Sequence, residues 1–193
     1  MSRHVSSTSF ESTRRRLTQK QADTVDRLCE AAVRVLRDED FAGLTVRAVA
    51  SRAGVGPATA YTYFSSKEHL VAEVFWRLLS HSPRPEADGL DRTGRVVAVL
   101  RGVALLLADE PGLAGAVTNA LLGGDPDVEH LRLRIGIEIR GRLEEALGEP
   151  GDPDVLETLD LLYSGALLRA GIGYSTYEDL TGSLERSATR ILE

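Results

Sequence analysis

Apolar residues recur along this chain at the spacing of amphipathic helices, in runs separated by Gly, Pro and short polar breaks. Val25, Leu28, Ala32, Val33 and Leu36 predict a first helix over about 20–38, closed by the acidic run Asp38, Glu39 and Asp40. Phe41 is placed to pack back and Gly43 to permit a turn. Thr45 then suits the N-cap of a short helix whose inward positions are Val46, Val49, Ala50 and Ala53, and Gly54 ends it. A helix of that length cannot stand alone in water and must be packed on its neighbours.

The segment AGVGPATAYTYF, residues 53–64, carries more information. Gly54 can adopt the left-handed conformation of a tight interhelical turn, Val55 can plug that turn into the core, and Pro57 has the fixed φ of a first helical position. Small Ala50 falls where two helices cross closely, and Val49, Ala53, Val55, Ala60 and Tyr63 fall at inward positions. The pattern predicts a helix-turn-helix whose second helix, about 57–64, lies in the DNA major groove. The same glycines read as a phosphate loop are weak, because no strand precedes them and no Gly-Lys-Ser/Thr follows. Ser65 to Glu68 reads as an S-x-x-E capping box for a helix over 66–80, with Leu70, Val71, Val74, Phe75, Leu78 and Leu79 on one side. Ser82 to Pro85 closes the segment as a linker.

Residues 91–193 read as helices throughout, so the expected fold class is all-α. One face is formed by Val96, Val97, Leu100, Val103, Ala104 and Leu107, and the next by Leu113, Val117, Leu121 and Leu122, ending at Gly123 and Gly124. Asp125-Pro126 opens another helix. Within it HLRLRIGIEIR, 130–140, alternates with period two, which alone argues for a strand. Val128, Leu131, Ile135, Ile139 and Leu143 also form a helical stripe, with Leu133 and Ile137 on its flank, and no partner strand lies nearby. A helix with a wide buried arc is therefore expected. Val155, Leu159, Leu162, Ala166, Leu167 and Ala170 predict a helix over 154–171, followed by a shorter one through Leu180, Leu184, Ala188 and Ile191.

Charge divides the chain in the same place. The 193 residues carry a formal charge of −6, yet residues 1–78 hold 12 bases against 9 acids and residues 79–193 hold 11 against 20. Residues 1–20 carry Arg3, Arg14, Arg15, Arg16 and Lys20 against Glu11 alone, among many Ser and Thr. Such a segment cannot fold by itself. It reads either as a solvated leader or as a basic arm that follows phosphates beside a docked domain. Lone Cys29 excludes an intramolecular disulfide and any multi-cysteine metal site. No stretch is long and apolar enough for a membrane helix or resembles a signal peptide, so a cytoplasmic protein is expected.

The run LTVRAVASRAGVGPATAYTYFSSKEHLVAEVF, residues 44–75, resembles the DNA-binding domain of TetR-type transcriptional regulators: the A-G-V turn, the T-x-Y-x-Y-F second helix and the K-x-x-L opening of helix four. The resemblance is specific over residues 21–80. It implies a basic arm over 1–20, a DNA-binding domain over 21–80 with its helix-turn-helix at about 45–64, and a helical regulatory and dimerisation domain over 81–193. Thr45, Thr59, Tyr61 and Tyr63 are then expected on phosphates, Lys67 near the backbone, Arg47 on a guanine edge, and Ala58 and Thr62 on the groove face beside Pro57. Gly56-Pro57 stands where the family commonly has a polar or basic pair, and Ala60 where it has a larger aliphatic residue. Base reading should thus be sparse, which raises the weight of Arg47, of the Arg14, Arg15 and Arg16 arm, and of DNA shape.

The resemblance further implies a homodimer through about 154–192, an inverted-repeat operator in double-stranded DNA, repression, and release by a small-molecule effector. The small residues of YSGALLRAGIG suit close helix approach, with Arg169 at an edge, in an ion pair with the partner, or in a ligand site. Phe75, Trp76, Leu100, Val103, Val117, Asn119, Leu121, Ile137 and Tyr163 are candidates to line an effector cavity, or are ordinary core. Enzymatic readings lack support: His4, His69, His81 and His130 have no metal-ligand spacing, no G-x-S-x-G elbow is present, and Cys29 has no identifiable base. No cofactor and no metal are expected. Two alternatives stay open: the same architecture controlled by a protein partner, and a helical ligand-binding protein with weakened DNA binding.

Overall fold

Helix formation follows the apolar stripes closely in the computed structural model, which describes residues 18–86 and 88–193. Among these residues the chain forms α1 (Gln19–Asp38), α2 (Val46–Ala53), α3 (Pro57–Tyr63), α4 (Lys67–His81), α5 (Arg92–Leu105), α6 (Pro111–Leu122), α7 (Pro126–Leu147), α8 (Pro153–Gly171) and α9 (Tyr177–Leu192), with no strand. The first helix buries Val25, Leu28, Ala32, Val35 and Leu36 against α2 and α4. It begins at Gln19, so the last two residues assigned by sequence to an arm are helical, while Arg14, Arg15 and Arg16 lie outside the described residues.

The two short helices are held by local chemistry. Thr45 Oγ1 accepts the Ala48 N–H at 3.0 Å and caps α2. Gly54 ends it with φ of 64°, a conformation that a side chain would strain, and the Val55 N–H returns to the Ala50 carbonyl at 2.9 Å. Pro57 then opens α3, whose Ala60 is fully buried, and Phe64 leaves the helix into the core.

Helix α4 differs from its predicted start by one residue. Ser66, not Ser65, is the N-cap, accepting the His69 N–H at 2.9 Å. Both serines also donate to the start of α7: Ser65 to Asp127 at 2.6 Å and Ser66 to Asp125 at 2.5 Å. Asp125 is itself the cap of α7, so two helix N-termini are tied cap to cap. At the other end Arg142 of α7, only 4% exposed, donates to the Leu79 carbonyl at 2.6 Å and to Ser82 Oγ at 2.8 Å. A cation on the last carbonyls of a helix also suits its dipole. Helix α7 thus splints α4 at both ends.

The period-two segment is helical, as expected, but its buried arc is narrow. Leu131, Ile135 and Ile139 are buried, whereas Leu133 and Ile137 are 63% and 62% exposed. Helices α4, α5 and α8 pack against α7, and the Leu133 and Ile137 face lies away from the core they form. Helix α9 buries Leu180, Leu184 and Ala188 against α5 and α8. A second junction joins α1 to α6, where Arg37 forms an ion pair with Glu110 and Gly112 abuts the α1 backbone. A Cβ at Gly112 would lie 2.5 Å from the Leu36 carbonyl oxygen, so this approach requires glycine.

Candidate nucleic-acid interface

The surface built by α2 and α3 gathers most of the predicted DNA-contacting residues. Thr45, Arg47, Pro57, Ala58, Thr59, Tyr61 and Thr62 are all exposed, and Tyr63 is half-buried against the core. Tyr61 is 53% exposed, as much a surface group as its neighbouring threonines. The Thr45 oxygen is used by the cap, which leaves its hydroxyl hydrogen able to donate to a phosphate. Thr62 spends its hydrogen on the Ala58 carbonyl at 3.0 Å, which leaves its oxygen only to accept.

Cations behind this surface are held by partners. Arg34 pairs with Glu30, Arg52 with Asp38 at 2.7 Å, and Arg77 with Asp26 and with Glu73 at 2.8 Å. Lys67 donates to the Phe41 carbonyl at 2.7 Å and stands 4.2 Å over the Phe41 ring, which ties α4 to the α1–α2 loop and leaves two of its three hydrogens for other acceptors. Arg47 has no hydrogen bond or ion pair among the described residues. Its long side chain projects from the first turn of α2, where the helix dipole already favours an anion.

This arrangement has the parts of a major-groove reader: an exposed second helix, a short first helix packed on it, and an exposed cation on the first turn of that first helix. The chain belongs to the TetR family. The family of bacterial regulatory proteins of the tetR type matches over residues 28–74. An uncharacterized HTH-type transcriptional regulator of Mycobacterium bovis is 44% identical over 167 residues, 86% of this chain and 78% of that protein, and a Mycobacterium tuberculosis regulator matches equally. Among solved structures, a TetR transcriptional regulator from Rhodococcus sp. RHA1 shares the fold with a TM-score of 0.74 at 23% identity, covering 91% of this chain and 98% of that one. Thermus thermophilus FadR, a TetR family transcriptional repressor in complex with lauroyl-CoA, matches with a TM-score of 0.65 at 25% identity, covering 88% and 93%. The protein is thus a TetR-family transcriptional regulator with a helix-turn-helix DNA-binding domain joined through α4 to a helical C-terminal domain.

In this TetR-family regulator the residues nominated for an effector cavity differ in burial. Phe75, Leu100, Val103, Val117 and Tyr163 are buried, Trp76 and Leu121 are half-buried, and Asn119 and Ile137 face solvent. Trp76 is covered by the Arg134 guanidinium, 4.2 Å from its ring. Tyr163 is the exception among the buried set, since its hydroxyl has no hydrogen-bond partner among the described residues and burial holds its pKa well above the ordinary phenol value. Arg169, within its apolar run, is exposed and lies 5.9 Å from the Tyr174 ring. Burial pushes the Cys29 thiol up, out of thiolate chemistry at neutral pH. No described helix is long and apolar enough to cross a membrane.

Two arginines that sequence reasoning passed over carry structural weight. Arg27 donates to the Gly54 carbonyl at 3.4 Å, bracing the interhelical turn from α1. Arg142 was visible in principle, because it follows the stripe Leu131, Ile135, Ile139 at the next inward position, where an arginine must find buried acceptors.

Proposed function

We propose that the protein is a cytoplasmic homodimeric repressor that binds an inverted-repeat operator and leaves it when an apolar or amphipathic ligand is bound. The observation that carries the DNA reading is Arg47: exposed and unpaired among the described residues, while Arg34, Arg52 and Arg77 are each bound back to a carboxylate. In this reading its fork takes a guanine edge, Thr45, Thr59, Tyr61, Tyr63 and Lys67 fix the phosphates, and Pro57, Ala58 and Thr62 face the bases. Residues 21–80 act as the reading head and 81–193 as the regulatory body. Arg14, Arg15 and Arg16 extend the contact along the backbone, so their neutralisation lowers the salt dependence more than the site preference.

Dimerisation is supported by α8 and its C-cap, where Leu161, Leu168 and Ile172 are 67%, 40% and 52% exposed at helical spacing with Gly165 between them. Apolar side chains in such a row favour a partner helix over water, and a two-fold pair would present two heads to successive half-sites. Ligand release is supported by the lauroyl-CoA complex of Thermus thermophilus FadR and by the splinting of α4, the helix that carries the head, to α7 of the body. A ligand that favours a different α4 position shifts the population off DNA.

Selection of bound fragments from a random duplex library by the purified protein, with its mass measured in parallel, tests this reading. An enriched inverted repeat bound by a dimer is expected. Enrichment of a single unrepeated half-site by a monomer overturns the dimeric part, and no enrichment overturns the DNA part.

A further inference from the structure

We propose that the cleft under the strap of residues 82–86 binds an amphipathic organic anion, and that Arg142 passes its occupancy to α4. This deepens the ligand-release reading and rests on it for the link to DNA. The cleft holds about 540 Å³ between the strap and α5, within the size range of small-molecule sites. A second recess of about 170 Å³ shares Arg84, Pro85, Glu86, Ala98, Val99 and Arg142 with it.

The lining is divided in character. Pro83, Pro85, Val99, Val103, Leu105 and Leu106 supply apolar walls. Arg84, Arg101 and Arg142 face the same space with Glu86, and Glu138 and Glu145 pair with Arg84 and Arg142 behind it, which leaves Arg101 as the cation with no ion pair among the described residues. Arginines stay charged at any working pH, so a ligand with one negative end and an apolar body satisfies both parts, whereas a neutral apolar molecule leaves the guanidinium groups without return. The lining contains no aromatic ring on which a nucleotide base could stack, which points to an alkyl carboxylate rather than a nucleotide.

The cations differ in how firmly they are held. Arg101 is exposed and has no ion pair among the described residues. Arg84 pairs with Glu138 at 3.3 Å and Glu145 at 3.5 Å, both longer than a charge-assisted hydrogen bond. Arg142 is bound tightly, to Glu138 at 2.8 Å as well as to Leu79 and Ser82. A carboxylate entering the cleft therefore takes Arg101 and Arg84 first. Drawing Arg84 from Glu138 moves the strap and leaves Glu138 to Arg142 alone. Arg142 in turn holds the Leu79 carbonyl and Ser82, the last turn and cap of α4. Occupancy is thereby coupled to the C-terminal end of the helix whose other end begins beside the reading head.

The test uses the full chain, decanoate as the probe and decanol as its neutral counterpart, with binding read by calorimetry and operator affinity by fluorescence anisotropy. Decanoate should bind at least about tenfold more tightly than decanol. Arg101→Glu should weaken decanoate about tenfold or more without lowering the unfolding temperature, since the side chain is exposed. Gly102→Leu gives an independent check: a Cβ there points at Pro85, 3.7 Å from its Cγ, so the larger side chain fills the cleft and should also exclude decanoate. Saturating decanoate should weaken operator binding about tenfold in the parent protein. Glu138→Gln should release Arg84 to the ligand, tightening decanoate while shrinking its effect on the operator, a pair of changes that simple loosening of the fold would not produce.

Equal binding of decanol and decanoate, or decanoate binding unaffected by both cleft variants, overturns the site. Decanoate binding that depends on Arg101 but leaves operator affinity unchanged overturns the transmission through Arg142. Operator binding without any decanoate binding sinks the cleft and spares the DNA reading. Failure to find an operator sinks the DNA reading, while the calorimetric comparison still decides the cleft.

Discussion

The reading head and the helical body use arginine in opposite ways. In the head Arg47 stands exposed on α2, with no hydrogen bond or ion pair among the described residues, and Arg52 lies at the surface with a single carboxylate. In the body Arg142 is buried, and its guanidinium joins α4, α7 and the strap through Leu79, Glu138 and Ser82. One arginine is left free for the DNA contact proposed above and the other is part of the frame. The contrast teaches that charge alone does not mark a binding residue. What marks it is whether the surrounding chain already supplies its acceptors.

Removing the frame arginine should have the largest effect. Arg142→Ala removes several buried charge-assisted hydrogen bonds at once, although Glu138 keeps Arg84 and the Leu79 carbonyl keeps the Ser82 hydroxyl, and is expected to cost about 3 kcal/mol of folding stability. Denaturant unfolding of the full chain measures it. A loss below about 1 kcal/mol would mean that water replaces the guanidinium and that α4 is not fixed by it.

The next effect tests how the head is seated on the body. Gly112→Ala sets a methyl group 2.5 Å from the Leu36 carbonyl, a backbone atom that cannot turn aside, so α1 and α6 must separate. The expected cost is about 1–3 kcal/mol, as for other overpacked sites. It should come with a change in operator affinity, because the displaced helix belongs to the head. Unchanged stability would show that α6 can shift freely against α1.

These residues also show what the sequence could and could not reveal. Gly54, Pro57 and Thr45 act within a few positions of themselves, through a positive φ, a fixed φ and a cap, and all three were legible as such. The choice between Ser65 and Ser66 was not, since both can cap and the decision is set by Asp125 and Asp127, 59 and 62 residues away. Periodicity gave α7 its helix but not its buried side. Leu133 and Ile137 satisfy a helical pattern equally well, and only the positions of α4, α5 and α8 decide that they face outward. Arg142 was hidden for the same reason: its acceptors Ser82 and Leu79 lie 60 and 63 residues earlier in the chain. In the nominated effector set, burial was legible for Leu100 and Val117, whereas the shared cleft with Arg84 and Arg101 depends on how the strap lies across α5.

Arg47→Ala should separate function from fold. Loss of one bidentate base contact is expected to weaken operator binding by about 1–3 kcal/mol and to relax preference at one base position. Folding stability should stay within about 0.5 kcal/mol, because the side chain is exposed and unpaired among the described residues. An operator affinity and base preference both unchanged would remove Arg47 from the interface.

Arg52→Ala provides the smallest and most discriminating effect, because it changes the same residue type on the same short helix. Arg52 ends α2 and is held by Asp38 at 2.7 Å, with both side chains about half exposed. An exposed pair of this kind contributes under about 1 kcal/mol to stability and less as salt screens it. Its guanidinium already has an acceptor, so its loss should alter operator affinity uniformly across sequences, if at all, with no base position relaxed. Fragment selection with the two variants side by side gives the answer. A relaxed base position for Arg52→Ala and none for Arg47→Ala would reverse their roles, and would mean that the Asp38 pair opens on DNA while Arg47 serves only the backbone.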